Sequence, residues 1–314
     1  MAVYEVGAAA TFANHMTAYA AALAAVDHGY EILTVEDGVY AGEVLVMDAL
    51  DNGSYTRANG VDYTIHLDTT AIYSFRVGDG FAMIGGTIEC TANIPVRSIA
   101  ASFWFDNVTF KVNSGHNVAI AYPSAASTAT LTNCRFVGDV QTITGGWTML
   151  SESSIVCDGC YVHPNLTFSD GFARMSGATI STVSIRATPC ESSTLLYVRV
   201  GQTVATATIQ GCYASNLVDN NSTITTFVGG YNAYGTTDAG TTSPGDVSGV
   251  TDFDVDDNGY PRPTSPLYRM LPVGVDYTGP YDAAGNLRVG ASHDCGPLQC
   301  QEDPAFQAAF VAVA

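Results

Sequence analysis

The chain has 314 residues, 47% of them apolar and only 13% charged, with a net charge of −19. Low charge content with abundant Gly, Ser, Thr and Ala speaks against disorder, and it speaks equally against a helical bundle rich in Glu, Lys and Leu. The single lysine, Lys111, and ten arginines leave a surface that repels phosphates, so the sequence points away from nucleic acid as a partner.

The first 45 residues read as a cap. Phe12, Met16, Ala20, Leu23 and Ala24 recur at helical spacing and predict a helix over Phe12 to Val26. Asp27-His28-Gly29-Tyr30 ends it. Glu31 to Val35 predicts a strand, Asp37-Gly38 a turn, and Val39 to Val44 a second strand. The first arginine is Arg57, so the start lacks the basic region of a secretion signal. The Ala-rich stretch from Ala18 to Val26 is too short to span a membrane, so no membrane insertion is expected. The expected setting is synthesis and folding in a cytoplasm.

From 46 to 240 the sequence repeats. Cys134 and Cys160 mark one period, Cys212 falls two periods after Cys160, and Val108 lies one period before Cys134. The texts Asp106-Asn107-Val108, Thr132-Asn133-Cys134, Asp158-Gly159-Cys160 and Gln210-Gly211-Cys212 agree at that period. Phe105, Leu131, Cys157, Val183 and Ile209 form a second apolar column. Runs such as Thr128-Ala129-Thr130-Leu131 and Thr206-Ala207-Thr208-Ile209 alternate strictly and so predict strands. Short strands returning at a period of about 26 residues describe an all-β fold: a single-stranded right-handed parallel β-helix whose equivalent side chains stack in ladders. Six turns would make a rod on the order of 30 Å at the spacing of paired strands. The weak rung is the one expected at Arg186, where a one-residue slip toward Ile185 would restore an inward apolar residue.

Residues 241–314 lose the period and form an irregular Pro/Gly/Asp-rich cap and tail. An Asp-rich turn runs from Asp252 to Arg262, followed by Ser265-Pro266, then Asp282 to Arg288 and His293-Asp294-Cys295-Gly296.

The short helix, the strand after it and Glu36-Asp37-Gly38-Val39-Tyr40 resemble the N-terminal cap of the pectin-lyase-like β-helix superfamily. The C-terminal segment is similar to the closing segment of β-helix surface proteins of the choice-of-anchor type. The resemblance implies a helix that plugs one end of the solenoid and a closing segment that lies along it. It implies no particular activity, because the fold hosts many.

Enzymes that cut polysaccharides need paired carboxylates. The acids of the repeat, Glu152, Asp158, Asp170, Glu191 and Asp219, are scattered, and His116 and His163 stand singly, so no catalytic residue is assigned. Asp254, Asp256 and Asn258 before Gly259 resemble the start of an EF-hand loop. They are candidate ligands of a structural calcium ion, although Ser265 stands where the closing acid belongs; the other reading is a turn held by Asp and Asn side chains. No other cofactor is implied. The eight cysteines read as mostly free, buried thiols, Cys157-Asp158-Gly159-Cys160 included, with Cys295 and Cys300 a candidate pair. Trp104, Trp147 and the 17 tyrosines could form a sugar-binding strip or simply pack. Phe306 and Phe310 in the apolar tail are candidate partner-binding residues.

The functional expectation is a non-enzymatic structural protein of a bacteriophage virion: a capsid decoration protein, head fibre or tail appendage. It would bind other virion proteins, such as the major capsid protein, through a terminal segment, and would form homo-oligomers, for example trimers. Cell-surface glycan is a further candidate partner. Two other readings stay open, a polysaccharide depolymerase and a bacterial surface adhesin located outside the cell.

Overall fold

The computed structural model describes residues 2–43, 45–47, 49–67, 75–90, 94–98, 102–112, 118–121, 128–138, 142–143, 147–149, 154–163, 166–168, 171–175, 179–238, 240–257, 259–268, 270–272 and 292–293. Alternating burial drives the strands together, and the result is a parallel β-helix. Its longest sheet stacks ten strands: β1 (Val3–Val6), β2 (Glu31–Thr34), β3 (Ser54–Arg57), β4 (Phe81–Ile84), β5 (Phe103–Asp106), β6 (Thr128–Thr132), β7 (Ser154–Asp158), β8 (Thr179–Arg186), β9 (Thr203–Gln210) and β10 (Thr223–Gly230). Every neighbouring pair among them is parallel. Parallel strands joined by crossovers wind right-handed almost without exception. Other faces of the coil carry a six-stranded sheet ending at Gly38–Glu43, a four-stranded sheet that includes Ile94–Ser98, and a six-stranded sheet that includes Pro189–Val198, Tyr213–Asn220 and Ala233–Thr236. Ten stacked strands span about 43 Å at ~4.8 Å each, longer than the six turns expected.

The rung length is not constant. Trp104 pairs with Thr130 and Thr130 with Val156, and these two equal steps carry the period read in the sequence. The step from Val156 to its partner Ser184 is longer than that period, and the step from Ser184 to Thr208 is shorter by the same amount. Cys160 and Cys212 are therefore separated by two unequal turns that together make two periods. The final step, Thr208 to Val228, is shorter still. The weak rung is thereby corrected. Ile185, not Val183, pairs with Cys157, because extra residues enter the turn before β8. Val183 pairs with Ile155 instead, and both are buried.

The tight turn after each long-sheet strand from β5 to β10 holds a left-handed residue, and these form a column: Asn107 (φ 53), Asn133 (φ 51), Gly159 (φ 62), Ala187 (φ 44), Gly211 (φ 63) and Tyr231 (φ 57). Each amide from Asn107 to Gly211 donates to a carbonyl of the next rung, as Asn133 does to Asp158 at 2.9 Å. Asn and Gly suit such a column because they tolerate positive φ best. Just after it lies the ladder of Val108, Cys134, Cys160, Thr188, Cys212 and Asn232, all fully buried. Three of its thiols donate across the turns: Cys134 Sγ to Phe105 O at 3.4 Å, Cys160 Sγ to Leu131 O at 3.5 Å and Cys212 Sγ to Ile185 O at 3.4 Å. Burial pushes the Cys134 and Cys190 thiols well up, and Cys212 to about 12. Cys134, Cys157, Cys160, Cys190 and Cys212 are all buried and in no disulfide. Cys295 and Cys300 lie outside the described residues.

Asn232 ends this ladder. Its Nδ2 donates to Ile209 O at 3.0 Å and to Asp246 Oδ1 at 3.1 Å, while its Oδ1 accepts from the Cys212 amide at 3.0 Å. Asp246 also accepts from the amides of Asn232 and Ser243, which folds the chain back over Gly229 and Gly230.

At the other end, helix α1 (His15–Ala24) packs on the first strands, its start fixed by Asn14 Oδ1 accepting from the Thr17 amide at 2.9 Å. The face it buries is His15, Ala18, Tyr19 and Ala22, whereas Met16 (41%) and Leu23 (43%) are exposed. This corrects the face expected from apolar spacing. The floor beneath the helix is aromatic: the His15 ring lies 4.8 Å from Tyr40 and 5.5 Å from Tyr63, Tyr19 lies 5.6 Å from Tyr30, and His15 Nε2 meets Thr34 Oγ1 at 3.1 Å. Flat rings with polar edges fit that floor better than Met or Leu, and the two alanines let the backbone approach.

Candidate functional site

The outward positions of the long sheet form two in-register columns. One runs Ala82, Trp104, Thr130, Val156, Ser184, Thr208, Val228. The other holds Thr128, Ser154, Thr182, Thr206 and Thr226, continued toward the N-terminus by Ser102, whose Oγ accepts from the Thr128 amide at 3.1 Å. Strand alternation produces both: in Thr128-Ala129-Thr130 and Thr206-Ala207-Thr208 the alanine is buried and the threonines face outward. From β4 to β10 neither column contains a charged residue, in a chain with 11 basic and 30 acidic ones. Charges return at the strand ends, where Asp106, Thr132, Asp158, Arg186 and Gln210 form the next column.

Across β4, β5 and β6 this face opens into a groove with a volume of about 240 Å³, lined by Gly80, Ala82, Ser102, Trp104, Thr128 and Thr130. Trp104 is 40% exposed, and its indole N–H donates to Thr132 Oγ1 at 3.2 Å. That bond fixes the ring on an outer face otherwise built of hydroxyls and small apolar groups.

The carboxylates of the coil do not converge. Asp158 ends β7 opposite Arg186, and burial raises it. Asp219 lies on Tyr213–Asn220 and accepts from Asn221 Nδ2 at 2.7 Å. Glu191, on Pro189–Val198, is raised by burial and then by the nearby Asp252 carboxylate. This Glu191–Asp252 pairing has no sequence signal, because it joins the coil to the C-terminal segment. Glu152, Asp170 and His116 lie outside the described residues, and the His163 ring lies 6.3 Å from Tyr161.

The C-terminal segment straps the outside of the coil. Phe253 and Leu267 cluster with Tyr213 and Ala233, the Phe253 and Tyr213 rings being 5.2 Å apart. Within the Asp-rich turn, Asp254 accepts from Thr264 Oγ1 and pairs with Arg262 at 3.7 Å, while Asp256 Oδ1 accepts from the Tyr260 amide at 2.9 Å. Both carboxylates are thus engaged by the turn itself. Asn258 lies outside the described residues, and among those described no three His, Cys, Asp or Glu side chains group so as to hold a metal ion. Phe306 and Phe310 also lie outside the described residues. Among the described residues, no helix is long and apolar enough to cross a membrane.

The Ser/Thr columns are visible in the sequence as alternation, but their outward register needs the true rung lengths. Trp104 is a candidate in the sequence, and the structure joins it to Ser102, Thr128 and Thr130. Trp147 lies on a different sheet, in the strand Trp147–Met149. No protein-family model, curated protein or solved structure matches the chain.

Proposed function

We propose that this chain is a non-enzymatic structural rod of a bacteriophage virion, a capsid decoration protein, head fibre or tail appendage, that presents the outer face of its long sheet for binding. The observation that carries the binding part is that face: from β4 to β10 the strands stay in parallel register, and the two outward columns that include Trp104 and Thr128 carry no charged residue. Cross-rung thiols, stacked left-handed turns and a terminal Asn232–Asp246 lock make the coil stiff, as an appendage requires. The acidic balance of the chain favours a soluble, self-repelling exterior. In this reading a terminal segment attaches the rod to its particle, with the major capsid protein and further copies of the chain as proposed partners. The pectin-lyase-like resemblance at the N-terminal cap agrees with this architecture but adds no activity. Co-sedimentation of purified chain with phage particles from the same source tests the reading. Saturable attachment is expected, and a chain that stays in the supernatant at every ratio would refute it.

One observation favours the polysaccharide depolymerase instead. Glu191 is raised by burial and then by the Asp252 carboxylate, and a raised acid is what general acid catalysis uses. Shortening of a polysaccharide by the wild-type chain but not by Glu191→Gln would establish it.

A further inference from the structure

We propose that the outer face of the long sheet binds a neutral polysaccharide chain laid along the rod axis, with one sugar ring stacked on Trp104. This deepens the reading above and rests on it, since it needs a rod that holds its ligand without cutting it.

Three features lead to this ligand. The first is the aromatic platform: the Trp104 indole is 40% exposed and is held in place by its N–H bond to Thr132. An apolar ring face of this kind takes the C–H face of a pyranose, while neighbouring hydroxyls take its O–H groups. Ser102, Thr128 and Thr130 border the same groove, and each hydroxyl both donates and accepts, as sugar hydroxyls do.

The second is charge. No acid or base interrupts either outward column from β4 to β10, on a chain of net charge −19. A cationic ligand would gain nothing on the face itself, and an anionic polymer would be repelled by the surrounding surface. A neutral one meets neither obstacle.

The third is repetition. Beyond Trp104 its own column continues as Thr130, Val156, Ser184 and Thr208, and the neighbouring column, hydroxyls throughout, as Thr128, Ser154, Thr182 and Thr206, one level per rung. Rungs repeat at ~4.8 Å, and outward side chains on one strand repeat at about 6.6 Å. An extended pyranose chain advances by about one ring per rung, so equivalent hydroxyls meet equivalent sugars along the face. Each contact is weak, but contacts on one rigid track add with little further ordering cost.

The test uses the full chain, insoluble cellulose and chitin as neutral probes, and polygalacturonate as the acidic control. Depletion from solution measures retention, and tryptophan fluorescence reports on Trp104. Wild type is expected to bind at least one neutral polymer with a fluorescence change and to ignore polygalacturonate. Trp104→Ala and Thr130→Glu, both outward positions, should fold with the wild-type circular dichroism spectrum and lose retention at least tenfold. Three results overturn the proposal: no neutral polymer is retained, polygalacturonate is retained equally, or both variants bind as wild type does. Particle attachment of the same variants separates the two readings. Variants that lose particle attachment would make this face a virion contact, which overturns the glycan proposal and leaves the structural reading standing. A wild type that binds glycan through Trp104 but never attaches to particles would overturn the virion reading alone.

Discussion

Replacing Asn232 by alanine removes the lock at the C-terminal end of the coil. Asn232 is fully buried, and its amide group serves the Cys212 N–H and the Ile209 carbonyl, each at 3.0 Å. The Ile209 carbonyl keeps its ladder bond from β10, but the alanine variant leaves the Cys212 amide buried and unpaired, at a cost of about 1–3 kcal/mol. Unfolding entropy of roughly 2 cal/mol/K per residue over 314 residues converts this to a fall in Tm of about 2–5 °C. Solenoids can open from one end, so hydrogen exchange complements the melt: the Cys212 amide should exchange faster, while amides of β4 and β5 keep their protection. Asn221→Ala is the control, because that exposed side chain reaches only Asp219. A loss below about 1 °C for Asn232→Ala, or an equal loss for Asn221→Ala, would refute the reasoning.

Four further outcomes follow from the same contacts. Under native conditions a thiol reagent should label no more than three cysteines, because five of the eight are buried, and all unpaired thiols should react in denaturant; fast labelling of Cys134 or Cys212 would break the ladder account. A Cβ at Gly53 would run into the Tyr30 ring, so Gly53→Ala should destabilise by about 1–3 kcal/mol in urea titration. Asn14→Ala should cost about 1 kcal/mol by the same titration through loss of the α1 cap. Asp106, Asp158, Glu191 and Asp246 all have folded-state values raised first by burial. A raised acid disfavours folding while ionised, so their penalty is present at neutral pH and relieved as pH falls toward the usual carboxylate range. Tm should therefore rise from pH 7 to about pH 5, and Glu191→Gln should raise Tm at pH 7.

The β-helix is legible in the sequence because a coil must present the same kind of side chain inward at each turn. Cys134, Cys160 and Cys212 fall in one column, and Asn107, Asn133, Gly159 and Gly211 mark the turns. The rung lengths are not legible. Connecting loops absorb a few extra residues at little cost while strand register is kept, so the longer and the shorter turn on either side of Thr188 average to the apparent period. Thr188 and Asn232 escape a reading built on cysteine spacing, although both occupy the buried position of the ladder. The buried face of α1 departs from apolar spacing because His15 and Tyr19 pack against rings contributed by Tyr30, Tyr40 and Tyr63, which local sequence does not reveal. The Trp104 face needs register across three turns, and the Glu191–Asp252 pairing needs the path of the C-terminal strap.

Binding without cutting is the central claim, and one measurement addresses it directly: the chain length of a retained neutral polysaccharide, followed by size-exclusion chromatography during prolonged incubation with the protein. The account predicts protein bound through Trp104 and polymer of unchanged length. Progressive shortening that disappears in Glu191→Gln would contradict it and make Glu191 a catalytic acid.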